Sequence, residues 1–418
     1  MQDDVQANEN SNDQETAEEA IKLEYELEYV IKNDSGNEIE SGFAKSIVGC
    51  KAILLTPLGL PPMKIPFSDL RKISSGNWTI ELTLSDNNVI LFRKLGRLYD
   101  SFLDEINDAY GKVTRKVLLM EEKLLSQFNQ AFIRKIAKEN LFDGEGTIFI
   151  QETGLVIALK SGETQRIPYA FIEKLEDHQW SFLLVMKSRD EFVLERLGRE
   201  TDFFRSEIYK AISSLENNAL EFTMSLAPSV SPIKLRPFAK KLLDGLAVVK
   251  KDTIGVPELW NALETRLATA GLKDSFNYLS SVSNPENFRI GIKRGLWGSL
   301  DKEYIWLFVP VLRGSKNYIV MEASSSGSGG RATYIFDASG EETEKIMDEL
   351  NFCLYMINFR REPIYLTEEQ LQKPENEHYR LAIERISGLK KLREKYLTRV
   401  FHKSAEQWQR DIDVILQH

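Results

Sequence analysis

The stretch IPFSDLRKI (65–73) recurs as IPYAFIEKL (167–175), and this recurrence decides how the chain is built. The same offset of 102 residues places Trp78 over Trp180 and LGRLYDSFLDEI (95–106) over LGRETDFFRSEI (197–208), without a gap. Identities at that offset include Ile65/Ile167, Pro66/Pro168, Lys72/Lys174, Leu82/Leu184, Asp100/Asp202, Phe102/Phe204, Glu105/Glu207, Ile106/Ile208 and Ala109/Ala211. Self-similarity that keeps one register through several segments marks a duplicated unit.

Each copy reads as antiparallel strands followed by one helix. In the second, TIFIQETGLVIALK (147–160) gives two strands around 152–154, and ETQRIPYAFIEKLE (163–176) a third and fourth. WSFLLVMK (180–187) and DEFVLERLG (190–198) form a hairpin turning at 188–190, and a helix follows over 199–213. Phe203, Phe204, Ile208 and Ala211 or Ile212 recur at helical spacing, so one face of that helix plugs an open, bent sheet. The first copy opens at IKLEYELEYVI (21–31), where Leu23, Tyr25, Leu27 and Tyr29 alternate with charged residues as in a half-buried strand.

A fainter third copy is expected, because WSFLLVMKSRDEFVLE from Trp180 lies over WLFVPVLRGSKNYIVME from Trp306. It is enlarged by a helical insert (257–282) and an extra hairpin around SSSGSGGRATYIF, and closes with a helix over 341–359. After Pro374, apolar residues from Tyr379 to Ile415 recur at steps of three or four and predict a long amphipathic helix. The fold class is therefore α+β, with tandem bent antiparallel sheets each capped by a C-terminal helix, helical connectors and a long C-terminal helix. The expected divisions are an acidic tail (1–20), a first domain with its connector (21–143), a second (144–243), a divergent third (244–373) and the terminal helix (374–418).

Composition bounds the function. The 418 residues correspond to about three domains. A hydrophobic content of 42% beside 28% charged residues excludes collagen-like, wholly disordered and membrane-embedded classes. Lys and Arg number 54 against 63 Asp and Glu, and the formal charge of −9 disfavours nucleic acid as the main partner, because phosphate binding draws on a basic field. The four histidines (His178, His378, His402, His418) and two cysteines (Cys50, Cys353) are scattered, so metal and thiol chemistries lack ligand sets and no cofactor is expected. MQDDVQANENSNDQETAEEA (1–20) has neither a basic start nor an apolar run, and too few large apolar groups to offset the entropy of ordering. The strongest apolar run, 304–312, is broken by Pro310 and followed by Arg313, far short of the ~18–20 residues of a membrane span. A reducing cytosol, with any membrane contact made from the surface, is the expected setting.

Strands followed by one plugging helix, with an IPY-x-x-I-like strand near the middle, resemble the pleckstrin-homology (PH) superfold in its compact bacterial form. The resemblance covers 42–110 and 144–213, and parts of 246–359 more loosely. It implies a seven-stranded bent sheet capped by a helix, in a family that binds phosphoinositides, peptides or proteins and is seldom catalytic. Eukaryotic lipid-binding members set several cations in the first strand pair; here the first copy offers Lys45 and Lys51, and the second has Gln151 and Glu152 at the turn. The helix tryptophan of those members is absent, and Trp78, Trp180 and Trp306 read as core or sheet-face packing.

Candidate contacts with a partner or an anion follow from the cations. The repeated Leu-Gly-Arg (95–97, 197–199) offers Arg97 and Arg199, although Gly there reads first as a corner turn, with Arg pairing to Asp100 or Asp202. Arg331 ends a Gly-rich loop (327–331) lacking phosphate-loop spacing, and Arg360 and Arg361 follow the third closing helix, where capping of its carbonyls is the plainer role. Lys45, Lys51, Lys293, Arg294 and Arg313 could cluster at an anionic membrane surface. No nucleophile elbow, metalloprotease motif or paired-carboxylate motif is present, and His178 lies at a strand turn. The expectation is a non-enzymatic scaffold that recruits protein partners through sheet edges and the terminal helix. The alternative is a peripheral binder of anionic lipid; an enzyme with an inter-domain site, and a histone or DNA chaperone, are minor options. Homo-oligomerisation stays open.

Overall fold

The computed structural model describes residues 23–118, 122–136, 142–295, 303–325, 330–386 and 388–417. The expected acidic tail and positions 327–329 of the Gly-rich loop lie outside the described residues. The chain forms two compact units, 1–113 and 114–418.

In the first unit the alternating residues of IKLEYELEYVI build β1 (Glu24–Lys32), with Tyr25, Leu27 and Tyr29 buried and the charges facing out. The remaining strands are β2 (Glu38–Val48), β3 (Ala52–Pro57), β4 (Met63–Pro66), β5 (Leu70–Gly76), β6 (Thr79–Leu84) and β7 (Val89–Arg93). Their order, β4-β3-β2-β1-β7-β6-β5, is antiparallel throughout. The two edge strands, β4 and β5, are joined by only a three-residue turn, Phe67–Asp69, so the sheet must curl until its edges meet at one corner. Helix α1 (Tyr99–Val117) fills the concave side with Phe102, Ile106 and Tyr110, whose burial stabilises by about 1.5–3 kcal/mol each. The Tyr25 hydroxyl donates to Glu105 on α1 at 2.7 Å and ties the helix to the first strand.

The second sheet repeats this plan element for element: β8 (Leu124–Ile136), β9 (Asp143–Gln151), β10 (Gly154–Leu159), β11 (Thr164–Pro168), β12 (Ile172–His178), β13 (Ser181–Met186) and β14 (Glu191–Glu195), in the order β11-β10-β9-β8-β14-β13-β12. Helix α2 (Thr201–Leu226) plugs it with Phe204, Ile208, Ala211 and Leu215, while Phe203 on the same helix is 54% exposed. Ser126 donates to Glu207 at 2.8 Å, so the glutamate repeated at the 102 offset again ties helix to first strand. Strand β8 falls inside the connector expected at the end of the first domain (21–143). Its pairing with β9 slips at Leu124/Ser126 and at Phe128/Ala131, with Gln130 at φ 62°, and these bulges erase the two-residue period that marks a strand.

The rest of the second unit runs α3 (Pro232–Lys241), β15 (Val248–Val249), α4 (Pro257–Thr269), α5 (Lys273–Val282), β16 (Arg289–Arg294), β17 (Glu303–Arg313), β18 (Lys316–Ser325), β19 (Arg331–Asp337), α6 (Thr343–Met356), α7 (Glu362–Tyr365), α8 (Glu368–Leu371), α9 (Glu377–Arg385), α10 (Leu389–Lys395), β20 (Tyr396–Phe401) and α11 (Ala405–Gln417). The expected helical insert is α4 and α5, and the expected closing helix is α6. Strands β15 to β20 pair in plain sequence order, so the third sheet does not share the plan of the first two; the match at Trp306 is one hairpin, β17–β18. One face of this sheet, with Trp306, Phe308, Met321 and Phe336, shares a core with α6 and the second sheet. The other, with Leu307, Val309, Val320 and Ile335, packs with α4, α5 and α11.

The long terminal helix is corrected by the structure. Gly388, at φ 87°, separates α9 from α10, and 396–401 leave the helix to pair as β20 with β19. Tyr, Leu, Thr, Val and Phe in that segment suit a strand as well as a helix stripe, and the open edge of β19 decides between them. Trp78 and Trp180 also depart from expectation: each sits in the turn between two strands, 69% and 67% exposed, whereas Trp306 is fully buried. No helix of the described residues is long and apolar enough to cross a membrane.

Candidate functional site

The corner where β11 meets β12 is a built docking surface. A three-residue turn, Tyr169–Phe171, joins the two edges, and Ala170 and Phe171 are buried there. Phe171 meets Phe352 and Tyr355 of α6 edge-on, with centroids 5.1 and 5.2 Å apart. Residues 352 and 355 are one turn apart, so a single face of α6 presents both rings. Lys187 lies over the Phe171 ring, 5.9 Å from its centroid, and burial lowers the pKa of its ammonium.

Polar groups frame this aromatic contact. Arg166, buried on β11, donates to the Tyr355 backbone carbonyl at 3.1 Å and forms an ion pair with Glu122. Glu122 also accepts from the Thr153 amide at 3.1 Å and from its hydroxyl at 2.7 Å. The Tyr355 hydroxyl donates to the Asp244 carbonyl at 2.6 Å, and the Asp244 carboxylate pairs with Lys293. Burial raises the Asp244 pKa against the opposing pull of Lys293, and it raises that of Tyr355. Buried polar atoms that are bonded in this way fix a unique docking geometry, since any displacement strands them.

The first unit carries the same corner in a different state. At the 102 offset Lys64 stands for Arg166, Ser68 for Ala170, Asp69 for Phe171 and Lys72 for Lys174. Lys64, Arg71 and Lys72 are exposed, and Ser68 and Asp69 are half-buried. The adjoining turn differs too: LGLPP (58–62) leaves Leu58 72% and Leu60 49% exposed, where the second copy has the polar Lys160, Ser161 and Glu163.

The residues singled out from sequence scatter. Lys45 pairs with Glu24 at 2.6 Å on an open surface, and that bond raises its pKa; Lys51 is exposed at the turn between β2 and β3. Arg97 and Arg199 are exposed beside Gly96 and Gly198, whose φ of 56° and 58° shows the corner turn the glycines supply. Asp202 pairs with Arg205, not with Arg199. Lys293 is consumed by Asp244, while Arg294 reaches Glu303 at 3.7 Å. Arg313 lies ten residues beyond Glu303 on β17, about 33 Å along the strand, so Arg294 and Arg313 form no cluster. Arg331 donates to the Gly271 carbonyl. Arg361 lies over the Tyr304 and Tyr334 rings, and Arg360 sits beside Tyr379.

Sequence reasoning missed Arg166, Phe171, Phe352 and Tyr355. The available signal was the exchange of FSD (67–69) for YAF (169–171), which turns a polar edge corner apolar in one copy. Among the described residues no group of three His, Cys, Asp or Glu side chains comes together as a metal site. Glu322, fully buried, accepts from Thr333 at 2.6 Å and lies 2.9 Å from His402 Nε2; Trp408 Nε1 donates to Thr333 at 2.7 Å. This cluster fastens α11 and the end of β20 to the sheet. No protein-family model matches the chain, and no curated protein is significantly similar to it.

Proposed function

We propose that the protein is a non-enzymatic binding protein whose PH-like repeats recruit protein partners, with the corner 63–76 of the first repeat as the recruiting surface. The observation that supports this reading is internal to the chain. One copy of the repeat uses its edge corner to grip a helix, and the other copy exposes Lys64, Arg71 and Lys72 at the same corner, with a half-buried Asp69 in place of the gripping phenylalanine. A curled sheet offers strand edges and a turn at that corner, both suited to a protein ligand. The charges there favour a polar, partly acidic partner over a second α6-like aromatic helix.

A photo-crosslinking amino acid placed at Lys64 or Lys72, with Ser35 on the distant β1–β2 turn as control, tests this in the native host. Discrete protein adducts are expected from the two corner positions only. Adducts equal at all three positions, or none, would sink the reading. A second reading, peripheral binding to anionic membrane, draws on the exposed Leu58 and Leu60 beside Lys64. Salt-sensitive pelleting with acidic vesicles, abolished by Leu58→Asp, is its expected signature.

A further inference from the structure

Helix α6 ends in a turn that aims two arginines. The amides of Asn358 and Phe359 donate to the carbonyls of Tyr355 and Leu354 at 3.0 and 2.7 Å, and both residues sit in the left-handed region, at φ 46° and 59°. A phenylalanine there is strained, and its ring holds the turn in place. Phe359 packs on Trp306, Tyr304 and Tyr355 with centroids 4.8, 5.1 and 4.9 Å away.

The turn places the Arg361 guanidinium 5.4 Å from the Tyr304 ring centroid and 5.6 Å from that of Tyr334. Arg399 also lies beside Tyr334. Its Cα is paired in register with Tyr334, and its guanidinium lies 3.9 Å from the Tyr365 ring centroid and 4.4 Å from that of Phe401. Two cations thus converge on Tyr334 of β19, beside the edge strand β20, where Phe401 is 53% exposed and Arg361, Tyr365 and Arg399 are partly exposed.

The cluster has two cations and lacks a counter-charge; the tyrosine hydroxyls beside the guanidiniums are neutral. Among the described residues no carboxylate comes within ion-pair distance of Arg361 or Arg399, although Arg393, nearby in sequence, takes Glu368 at 2.7 Å. Glu362 acts on Arg361 only from a distance. The Tyr304 hydroxyl is buried beside Arg361 and has no other hydrogen-bond partner. Ring faces and neutral tyrosine hydroxyls offset part of the cost of a sequestered guanidinium, but they neither neutralise its charge nor fill its whole fork of N–H donors. An oxyanion with two negative charges and several terminal oxygens supplies what is missing, because arginine forks bind such groups bidentately.

We infer that Arg361, Arg399 and the hydroxyl of Tyr304 form a binding site for a phosphate monoester. This is separate from the partner-recruiting corner proposed above. Free metabolites and lipid headgroups both present that group, and the test separates them.

Equilibrium dialysis of labelled inorganic phosphate against the full-length protein, at ionic strength matched with chloride, is expected to show saturable binding. Arg361→Gln or Arg399→Gln should weaken it about tenfold or more, the loss of one charge-assisted contact. Should either variant misfold by circular dichroism, phenylglyoxal labelling of the wild type read by peptide mass spectrometry takes its place. Phosphate should protect Arg361 and Arg399 and leave the exposed Arg97 and Arg199 unprotected. Vesicles containing phosphatidic acid form the second arm. Protection by vesicles alone assigns a lipid source, and protection by soluble phosphate assigns a free ligand. Protection or binding in neither arm, or binding unchanged in both variants, overturns the inference.

Discussion

Arg166 and Tyr355, 189 residues apart in sequence, meet through a hydrogen bond of 3.1 Å from the guanidinium to the backbone carbonyl. The contact joins the edge of the second sheet to the helix that covers the third, and Glu122 neutralises the charge it buries.

Arg166→Met is therefore expected to destabilise the second unit by about 2–4 kcal/mol, because it leaves Glu122 short of its cation in a mostly buried setting. Lys64→Met, the same substitution in the exposed copy, should change stability by no more than about 0.5 kcal/mol. Urea unfolding of both variants checks the contrast. Equal effects would show that the two corners do not differ as described.

Trp408 reaches Thr333 through its indole N–H, and its ring stacks on His402 at 5.3 Å. Trp408→Phe should cost about 1 kcal/mol, the worth of the hydrogen bond, whereas Trp408→Ala should cost about 3–5 kcal/mol through the cavity it leaves. Hydrogen exchange should quicken first in 405–417 and along β20. A uniform change across the unit would argue against α11 as a locally fastened element.

Asn358 holds φ at 46° in the turn that ends α6. Asn358→Gly should be neutral or stabilising by up to about 1 kcal/mol, and Asn358→Val should lose about 1–2 kcal/mol, since a β-branched residue resists the left-handed region. Thermal melts are expected to place Asn358→Val below the wild type and Asn358→Gly at or above it.

Glu341 accepts from Lys391 and Lys395, each at 2.7 Å, and these bonds hold its pKa down at about 2, from an ordinary 4.5. A carboxylate whose pKa is depressed on folding adds stability above its unfolded pKa and loses it as the pH falls through the folded value. The stability difference between wild type and Glu341→Gln should thus be constant above about pH 5.5, shrink below about 4.5 and vanish near about 2. Urea midpoints across that range give the measurement; a difference that persists at the acid end contradicts it.

The sequence by itself determined the repeat, the order of strands and helix within each copy, and the two helices of the insert. These are local properties: a period of two residues, a period of 3.6 and the turns set by Gly and Pro are written within short windows. The bulges of β8 hid one strand from that reading, and the residues of β20 fit a helical stripe until the edge of β19 gave them a partner.

Tertiary structure alone decided which surfaces are used. Trp180 and Trp306 occupy matched positions, yet one is 67% exposed and the other fully buried, because only the second has Phe359 and Tyr355 packed against it. Likewise, nothing near 361 in the sequence announces Arg399, and nothing near 166 announces Tyr355. A side chain's pattern states what it can bury or bind; whether water or a distant segment meets it depends on contacts made only once the whole chain has folded.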